Sequence, residues 1–134
     1  MKWYVEGFAE RSNVDITLNI PDNLGRLCRD VELVVFRIVQ ECLTNIHRHS
    51  DSKNAEIRLG ISDGIISVTV RDNGKRMSVE RLAEIRSNAS GVGIRGMRER
   101  LRQLGGEISI ESDASGTTVL ASLPVPSPQK DQSN

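Results

Sequence analysis

Aromatic residues are scarce in this 134-residue chain, and an excess of charge of either sign and long apolar runs are missing from it. Lysine plus arginine number 18 and aspartate plus glutamate number 18, so the formal net charge is +0. Without a basic surplus or stacking side chains, the chain does not fit a general nucleic-acid binder. No segment is apolar enough to cross a membrane, and no secretory leader is recognisable. We therefore expect a cytoplasmic domain with no direct contact to nucleic acid or membrane.

The chain has only two cysteines, Cys28 and Cys42, and they show no metal-type spacing. This pattern favours two reduced thiols over a disulfide. The length is enough for one domain with a real core and too short for two. Because the first residues already follow a helical pattern, we expect a fragment of a longer chain with an added Met. A short stand-alone protein is the alternative.

The strongest helical pattern lies between residues 31 and 50. Its apolar side chains gather on one arc of a helix with 3.6 residues per turn, and they are Val31, Val35, Ile38, Val39, Cys42, Leu43 and Ile46. Glu41, Asn45 and His49 follow one another at i, i+4 and i+8 along the margin of that arc. We expect these three polar side chains to face an opening beside the core.

The remaining periodicity predicts alternating helices and strands. Asp30 is the predicted N-cap of the helix that runs to about Ser50. Further helices are predicted over 2–12, 78–86 and 94–104, and strands over 14–20, 57–61, 66–70, 108–110 and 117–123. Gly105-Gly106 is predicted to end the last of these helices. Most of the strands are predicted to pair as hairpins, one with its turn at Asp63-Gly64 and another with its turn over 112–116. The fold class predicted is a two-layer α/β sandwich, with a mixed, mostly antiparallel sheet and helices on one face. The domain is predicted to span residues 1–124, with a flexible tail over 125–134.

Glu41 and Asn45 supply a carboxylate and an amide one helical turn apart. These hard oxygen donors suit Mg²⁺, which prefers one or two protein oxygens together with waters and phosphates. Taken alone, these residues are better explained as an ordinary solvated helix face. An Asn inside a helix beside the core, however, invites a functional explanation because it is a poor helix former.

Two glycine-containing segments follow. Asp72-Asn73-Gly74 ends a strand, where a carboxylate could accept a hydrogen bond and a glycine could let a flat ligand approach; a plain turn is the alternative. Gly91 to Gly96 has Gly-x-Gly-x-x-Gly spacing but lacks the preceding strand of a dinucleotide fingerprint. The segment does lead into the start of a helix, where free backbone N–H groups suit phosphate. A glycine-rich hinge without a ligand is the alternative. Together with the Glu41–Asn45 pair, these segments favour a magnesium nucleotide.

The chain resembles the catalytic ATP-binding domain of bacterial sensor histidine kinases, in the branch that pairs with helix-turn-helix response regulators. The resemblance runs from Trp3 to about Pro124. RIVQECLTNIHRHS resembles the family's Asn-containing box, RDNGK its first Gly box, GVGIRGMRERLRQLGG its second, and GTTVLASLPV its closing strand. The resemblance implies the Bergerat ATP-binding fold, ATP and Mg²⁺ as ligands, and a role in two-component signal transduction.

The resemblance also implies roles for individual residues. Asn45 would coordinate Mg²⁺, and Glu41 beside it would assist the metal or a water; these two are the predicted catalytic residues. Asp72 would accept a hydrogen bond from the adenine amino group, with Thr117 and Gly74 at the same pocket. The phosphates would be bounded by residues of the Asn box and the second Gly box, namely Arg48, His49, Gly91, Gly93, Ile94, Gly96 and Met97. Residues 77–90 would form a short lid.

Two departures from the family pattern bear on function. Arg76 stands where the first Gly box usually has a second glycine, which implies weaker ATP binding, a differently set lid, or a phosphate contact by Arg76. The dimerising hairpin with the phosphoacceptor histidine is absent, and His47 and His49 lie inside the nucleotide box. We therefore expect a monomer that binds ATP but does not autophosphorylate by itself. Its partners would be the phosphoacceptor domain of the same kinase and, indirectly, a response regulator. A non-catalytic regulatory module or an anti-sigma-type serine kinase of the same fold is the alternative.

Overall fold

The computed structural model of the chain describes residues 2–22, 27–47, 53–73, 93–113 and 116–125. Within these ranges the elements follow in the order α1 (Lys2–Ser12), β1 (Asp15–Asn19), α2 (Arg29–Asn45), β2 (Asn54–Ser62), β3 (Ile65–Asp72), α3 (Gly93–Gln103), β4 (Glu107–Asp113) and β5 (Gly116–Pro124). The helix predicted over 78–86 and most of the predicted tail lie outside the described residues.

The five strands form one mixed sheet in the order β1-β2-β3-β5-β4. Only β1 and β2 run parallel, and the other three neighbouring pairs are antiparallel. The β2–β3 hairpin turns at Asp63 and Gly64, whose φ angles of 54° and 75° match the mirror-image turn that favours Asp-Gly. The predicted mixed, mostly antiparallel sheet is therefore confirmed.

One face of the sheet carries the core, because alternate residues of β2, β3 and β5 are buried while their neighbours are more exposed. All seven residues of the apolar arc predicted on α2 are buried against this face. The largest fully buried side chains come from both layers and are Ile38, Leu43, Ile57, Ile66, Leu101 and Leu123. Of the apolar residues of α1, Val5 is buried, whereas Trp3 is 86% exposed.

The start and end of α2 differ from the prediction. Cys28, not Asp30, is the N-cap residue, and it makes no side-chain capping bond. The first helical bond runs from the Glu32 N–H to the Cys28 carbonyl at 3.0 Å. Asp30 lies in the first turn, where its charge suits the positive end of the helix dipole.

At its other end α2 does not continue as an α-helix to Ser50. The α-helix ends at Asn45, and a π-helical turn follows at Ile46 and His47. The Ile46 N–H donates to the carbonyls of both Cys42 and Leu43, a shared bond that is common at the ends of helices. Residues 48–50 lie outside the described part of the chain.

The ends of α3 and β4 show two further details. Gly105 has a φ of +82°, and the Gly106 N–H donates to the Leu101 carbonyl at 2.7 Å, so the predicted glycine stop is confirmed as a Schellman-type end. The turn predicted over 112–116 is too long, because β4 extends to Asp113 and β5 already begins at Gly116.

Among the described helices, none has the length and apolar character needed to span a membrane.

Candidate functional site

Asp72 is the most deeply buried charged group described in this structure. It is the last residue of β3 and is only 4% exposed. The alternation of β3 places it on the helix-covered face, in line with Val70 and Val68. A carboxylate in such a place needs polar partners or a ligand, because burying an unpaired charge is costly. The C-terminal end of β3 therefore carries a buried hydrogen-bond acceptor.

Thr117 lies directly opposite Asp72. The two are Cα partners in the antiparallel β3–β5 pair, and Thr117 is 6% exposed. On the far side, Thr117 pairs with Ser112 of β4, and their hydroxyl oxygens are 3.1 Å apart. Residues directly opposite each other in antiparallel strands share one face. Asp72, Thr117 and Ser112 thus form a continuous polar row across three strands.

Gly116 allows β5 to approach the end of β3 closely. Its φ is +132°, a value that side chains rarely adopt. A Cβ at this position would lie 1.9 Å from the Asp72 carbonyl oxygen and 2.8 Å from the Asn73 Cα. The glycine is therefore required both by its backbone conformation and by the backbone of the residue that carries the candidate carboxylate.

The Cys42 thiol shows where α2 lies relative to Asp72. Burial, followed by the negative charges of Glu41 and Asp72, raises the pKa of the Cys42 thiol to about 12. A charge acts in this way only when it is close to the titrating group. The Asp72 carboxylate is therefore close enough to Cys42, in the C-terminal half of α2, for its charge to act on the thiol.

Glu41 and Asn45 are both half-buried, in keeping with their predicted position on the margin of the apolar arc. Asn45 is the last α-helical residue before the π-helical turn, so it is not the mid-helix residue that the sequence indicated. Turns of this kind are frequent at functional sites. The other two residues of the predicted Asn box, Arg48 and His49, lie outside the described residues.

The second glycine-rich segment is described only in part. Gly93 is the first residue of α3 and Ile94 the second, while Gly96 is exposed within the helix, with nothing within 4 Å of a Cβ built there. Met97 is buried, and α3 packs beside α2. Gly74, Arg76 and Gly91 lie outside the described residues. The start of α3 is therefore held at the same side of the sheet as α2.

The donor set on α2 fits Mg²⁺ held mainly by a bound nucleotide. No group of three or more His, Cys, Asp or Glu side chains that could hold a metal occurs in the described ranges. Glu41 and Asn45 offer one carboxylate and one amide oxygen, and Mg²⁺ commonly takes one or two protein oxygens plus phosphate oxygens. These residues would therefore complete a metal site only together with phosphates.

Two residues of this region carry more than the sequence reasoning assigned to them. Ser112 was placed in a turn, although its spacing of two from Ile110 continues the buried side of β4. Gly116 was predicted only as the last residue of the same turn. The signal for Ser112 was available, because a shorter turn would have placed it opposite Thr117.

A separate cavity of about 370 Å³ lies along the first half of α2. Ile20, Leu33 and Phe36 are among the residues that line it, and none of the predicted site residues that the structure describes does. It is therefore distinct from the polar row at the end of β3.

Comparisons with known proteins identify the family to which the chain belongs. The family described as "Histidine kinase-, DNA gyrase B-, and HSP90-like ATPase" matches residues 30–127. The sensor histidine kinase LiaS of Bacillus subtilis (strain 168) is 31% identical over 122 residues, which cover 90% of this chain and 32% of LiaS. The sensor histidine kinase NarS of Mycobacterium tuberculosis (strain ATCC 25618 / H37Rv) is 31% identical over 119 residues, 87% of this chain and 27% of NarS.

A solved structure shows the same fold. The histidine kinase domain of the blue-light activated histidine kinase from Erythrobacter litoralis EL346 superposes with a TM-score of 0.71 at 20% identity, over 90% of this chain and 57% of that one. The class defined by the fold and site is thus the Bergerat-type α/β ATPase. The chain belongs to the histidine kinase-, DNA gyrase B- and HSP90-like ATPase family, as an ATP-binding catalytic domain of the sensor histidine kinase type. It spans about a quarter to a third of the length of the curated relatives it matches.

Proposed function

We propose that this domain presents the γ-phosphate of MgATP to a histidine on a separate dimerisation domain of a cytoplasmic signalling kinase. In that reaction the bond between the γ-phosphorus and the bridging oxygen of ATP breaks, a phosphorus–nitrogen bond forms on the imidazole, and ADP leaves. The phosphoryl group then passes to a response regulator of the helix-turn-helix branch. The single observation that carries the proposal is the buried Asp72 carboxylate at the end of β3, opposite the buried Thr117.

Asp72 is assigned to the base of the nucleotide. An ionised carboxylate only accepts hydrogen bonds, and the exocyclic amino group of adenine only donates them. Thr117, opposite Asp72, adds a hydroxyl at the same end of the sheet. Gly74, which follows two residues after Asp72, is assigned to the same adenine pocket.

The phosphates are assigned to the other end of the site. The first turn of α3 offers free backbone N–H groups and the positive end of the helix dipole. We assign Gly91, Gly93, Ile94, Gly96 and Met97 to this side, with Arg48 and His49 opposite. Asn45 and Glu41 would hold Mg²⁺, which when bound neutralises charge on the phosphates.

The phosphoacceptor is assigned to another domain because neither histidine of this chain suits that role. His47 packs edge-on against Phe8, with ring centroids 6.0 Å apart, and His49 belongs to the proposed phosphate side. The domain alone should bind ATP without becoming phosphorylated. Incubation with γ-labelled ATP, followed by detection of acid-labile phosphate, tests this expectation.

Isothermal titration with a non-hydrolysable ATP analogue, with and without Mg²⁺, tests the binding assignment. Replacing Asp72 with alanine should weaken binding roughly 10- to 100-fold, since losing a hydrogen bond to a charged group costs about 1.5–3 kcal/mol. Asp15→Ala, at an exposed aspartate of β1, is the matched control and should bind like wild type. Unchanged affinity in Asp72→Ala would rule out the base-anchor role.

The metal assignment has its own variant. Asn45→Ala should bind the analogue with little difference between buffers with and without Mg²⁺, because the amide oxygen that holds the ion is gone. Asn19→Ala, at an exposed asparagine at the end of β1, should keep the wild-type Mg²⁺ dependence. If both variants depend on Mg²⁺ like wild type, Asn45 does not hold the metal.

A further inference from the structure

Ser112 is a residue that the proposed function leaves unused, although it contacts a residue that the function needs. It lies on β4, at the edge of the sheet, and its hydroxyl oxygen is 3.1 Å from that of Thr117. Thr117 in turn lies opposite the Asp72 carboxylate. Ser112 is separated from Asp72 by one strand, so any effect of Ser112 on the base end of the site must pass through Thr117.

The direction of the Ser112–Thr117 hydrogen bond decides what Thr117 can offer to a ligand. A hydroxyl has one hydrogen to donate and two lone pairs to accept with. If Thr117 donates to Ser112, it presents only lone pairs to its other neighbours. If Ser112 donates to Thr117, the hydrogen of Thr117 is available for a ligand.

The neighbouring carboxylate favours the second direction. Asp72 accepts hydrogen bonds, so a Thr117 that presented only lone pairs would place acceptors side by side in a buried region. Electrostatic repulsion between them is strong where water is excluded. A Thr117 that keeps its own hydrogen avoids this repulsion by turning it towards the carboxylate, and it can turn the same hydrogen towards a ligand acceptor when a nucleotide is bound.

We propose that Ser112 is a positioning residue that donates to Thr117 and thereby makes Thr117 a hydrogen-bond donor beside the acceptor Asp72. This inference rests on the proposed function, since it concerns the same nucleotide site. A donor next to an acceptor matches the edge of adenine, where N1 accepts and the 6-amino group donates. Guanine presents the reverse order, with an N1–H donor and an O6 acceptor. Ser112 therefore contributes to the choice of adenine without touching the nucleotide.

The test compares ATP with 1-deaza-ATP, in which a C–H replaces the N1 acceptor. Wild-type protein should bind ATP about three- to ten-fold more tightly than 1-deaza-ATP in isothermal titrations, the range expected for one neutral hydrogen bond. Ser112→Ala should lower the affinity for ATP while leaving that for 1-deaza-ATP unchanged, so that the ratio falls towards one. Ser112→Thr, which keeps the hydroxyl, should retain the wild-type ratio.

Two further variants separate positioning from packing. Ser109→Ala changes an exposed serine on the same strand and should leave both affinities unchanged. Thr117→Val should lower the ratio of the affinities for ATP and 1-deaza-ATP as much as Ser112→Ala does. The double variant should lower it no further, because both changes remove the same hydrogen bond to the nucleotide. If Ser112→Ala does not fold, Ser112→Cys, of similar size and with a weak donor, replaces it.

The outcomes distinguish this inference from the function on which it rests. Absence of ATP binding by the wild-type domain would overturn the proposed function itself. ATP binding with equal affinity for 1-deaza-ATP would overturn the inference alone. So would a Ser112→Ala variant that keeps the wild-type ratio, or one that loses affinity for both nucleotides equally, since a packing role would produce that result.

Discussion

Replacing Gly116 with alanine tests how closely β5 approaches the end of β3. The added Cβ would lie 1.9 Å from the Asp72 carbonyl oxygen and 2.8 Å from the Asp72 carbonyl carbon. Both are backbone atoms, so no side-chain rotation can relieve the contact. The two strand ends must separate, and Asp72 and Thr117 must move with them.

Gly64 provides a matched control. It also has positive φ, +75°, but no atom lies within 4 Å of a Cβ built there. Gly64→Ala should therefore show the conformational cost alone, about 1–2 kcal/mol. Gly116→Ala carries the same type of cost plus overpacking of about 1–3 kcal/mol, so the total loss of unfolding free energy should be about 2–5 kcal/mol.

Urea unfolding at fixed pH measures both losses, and titration of the folded variants with an ATP analogue shows the effect on the site. We expect the affinity to fall in Gly116→Ala and to stay unchanged in Gly64→Ala, because only the first displaces Asp72. Equal losses of stability in the two variants would refute the close approach. A destabilised Gly116→Ala with wild-type affinity would separate the strand ends from the nucleotide site.

Two further predictions concern the helices. Gly96→Ala should raise the free energy of unfolding by about 0.5–1 kcal/mol, because glycine costs that much inside a helix and the space around it is open; a loss of stability in urea unfolding would contradict this. Cys42 should make the protein less stable in alkali, because the folded state keeps the thiol protonated up to a pKa of about 12 whereas the unfolded thiol ionises near its ordinary pKa of 9.0. Its contribution is therefore intact below pH 9 and is lost as the pH rises from 9 towards 12; between pH 8 and 10 wild type should lose about 1.4 kcal/mol more than Cys42→Ala, and equal losses would contradict the burial of the thiol.

Local patterns predicted the parts of the fold that depend on local physics. The apolar arc of α2 follows from 3.6-residue periodicity, and the β2–β3 hairpin follows from alternation around Asp63-Gly64. Both are confirmed because a side chain's place in a helix or hairpin is set by its near neighbours in sequence. The glycine stop after α3 belongs to the same class.

The features that the sequence could not predict depend on distant parts of the chain. β3 pairs with β5, although 43 residues lie between Asp72 and Gly116 in the sequence. No local sequence pattern predicts the register of that pairing. The burial of Asp72 and its place opposite Thr117 follow from this pairing. The N-cap of α2 was assigned to Asp30 on residue type alone, whereas the path of the chain into the helix decides which residue takes that place. Residue chemistry and resemblance therefore identified the candidate site residues, but the polar row required the tertiary pairing.

The order of the strands has a consequence for amide hydrogen exchange at the base end of the site. β3 and β5 each have a strand on both sides, whereas β4 has a neighbour on one side only. Amides of doubly flanked strands exchange near the free energy of global unfolding, while edge strands open through smaller, local fluctuations. Asp72 and Thr117 thus belong to the slowest-exchanging layer of the sheet, and Ser112 to a strand that can open while the rest stays folded. Fraying of one edge strand would release the Thr117 hydroxyl without displacing either Thr117 or Asp72.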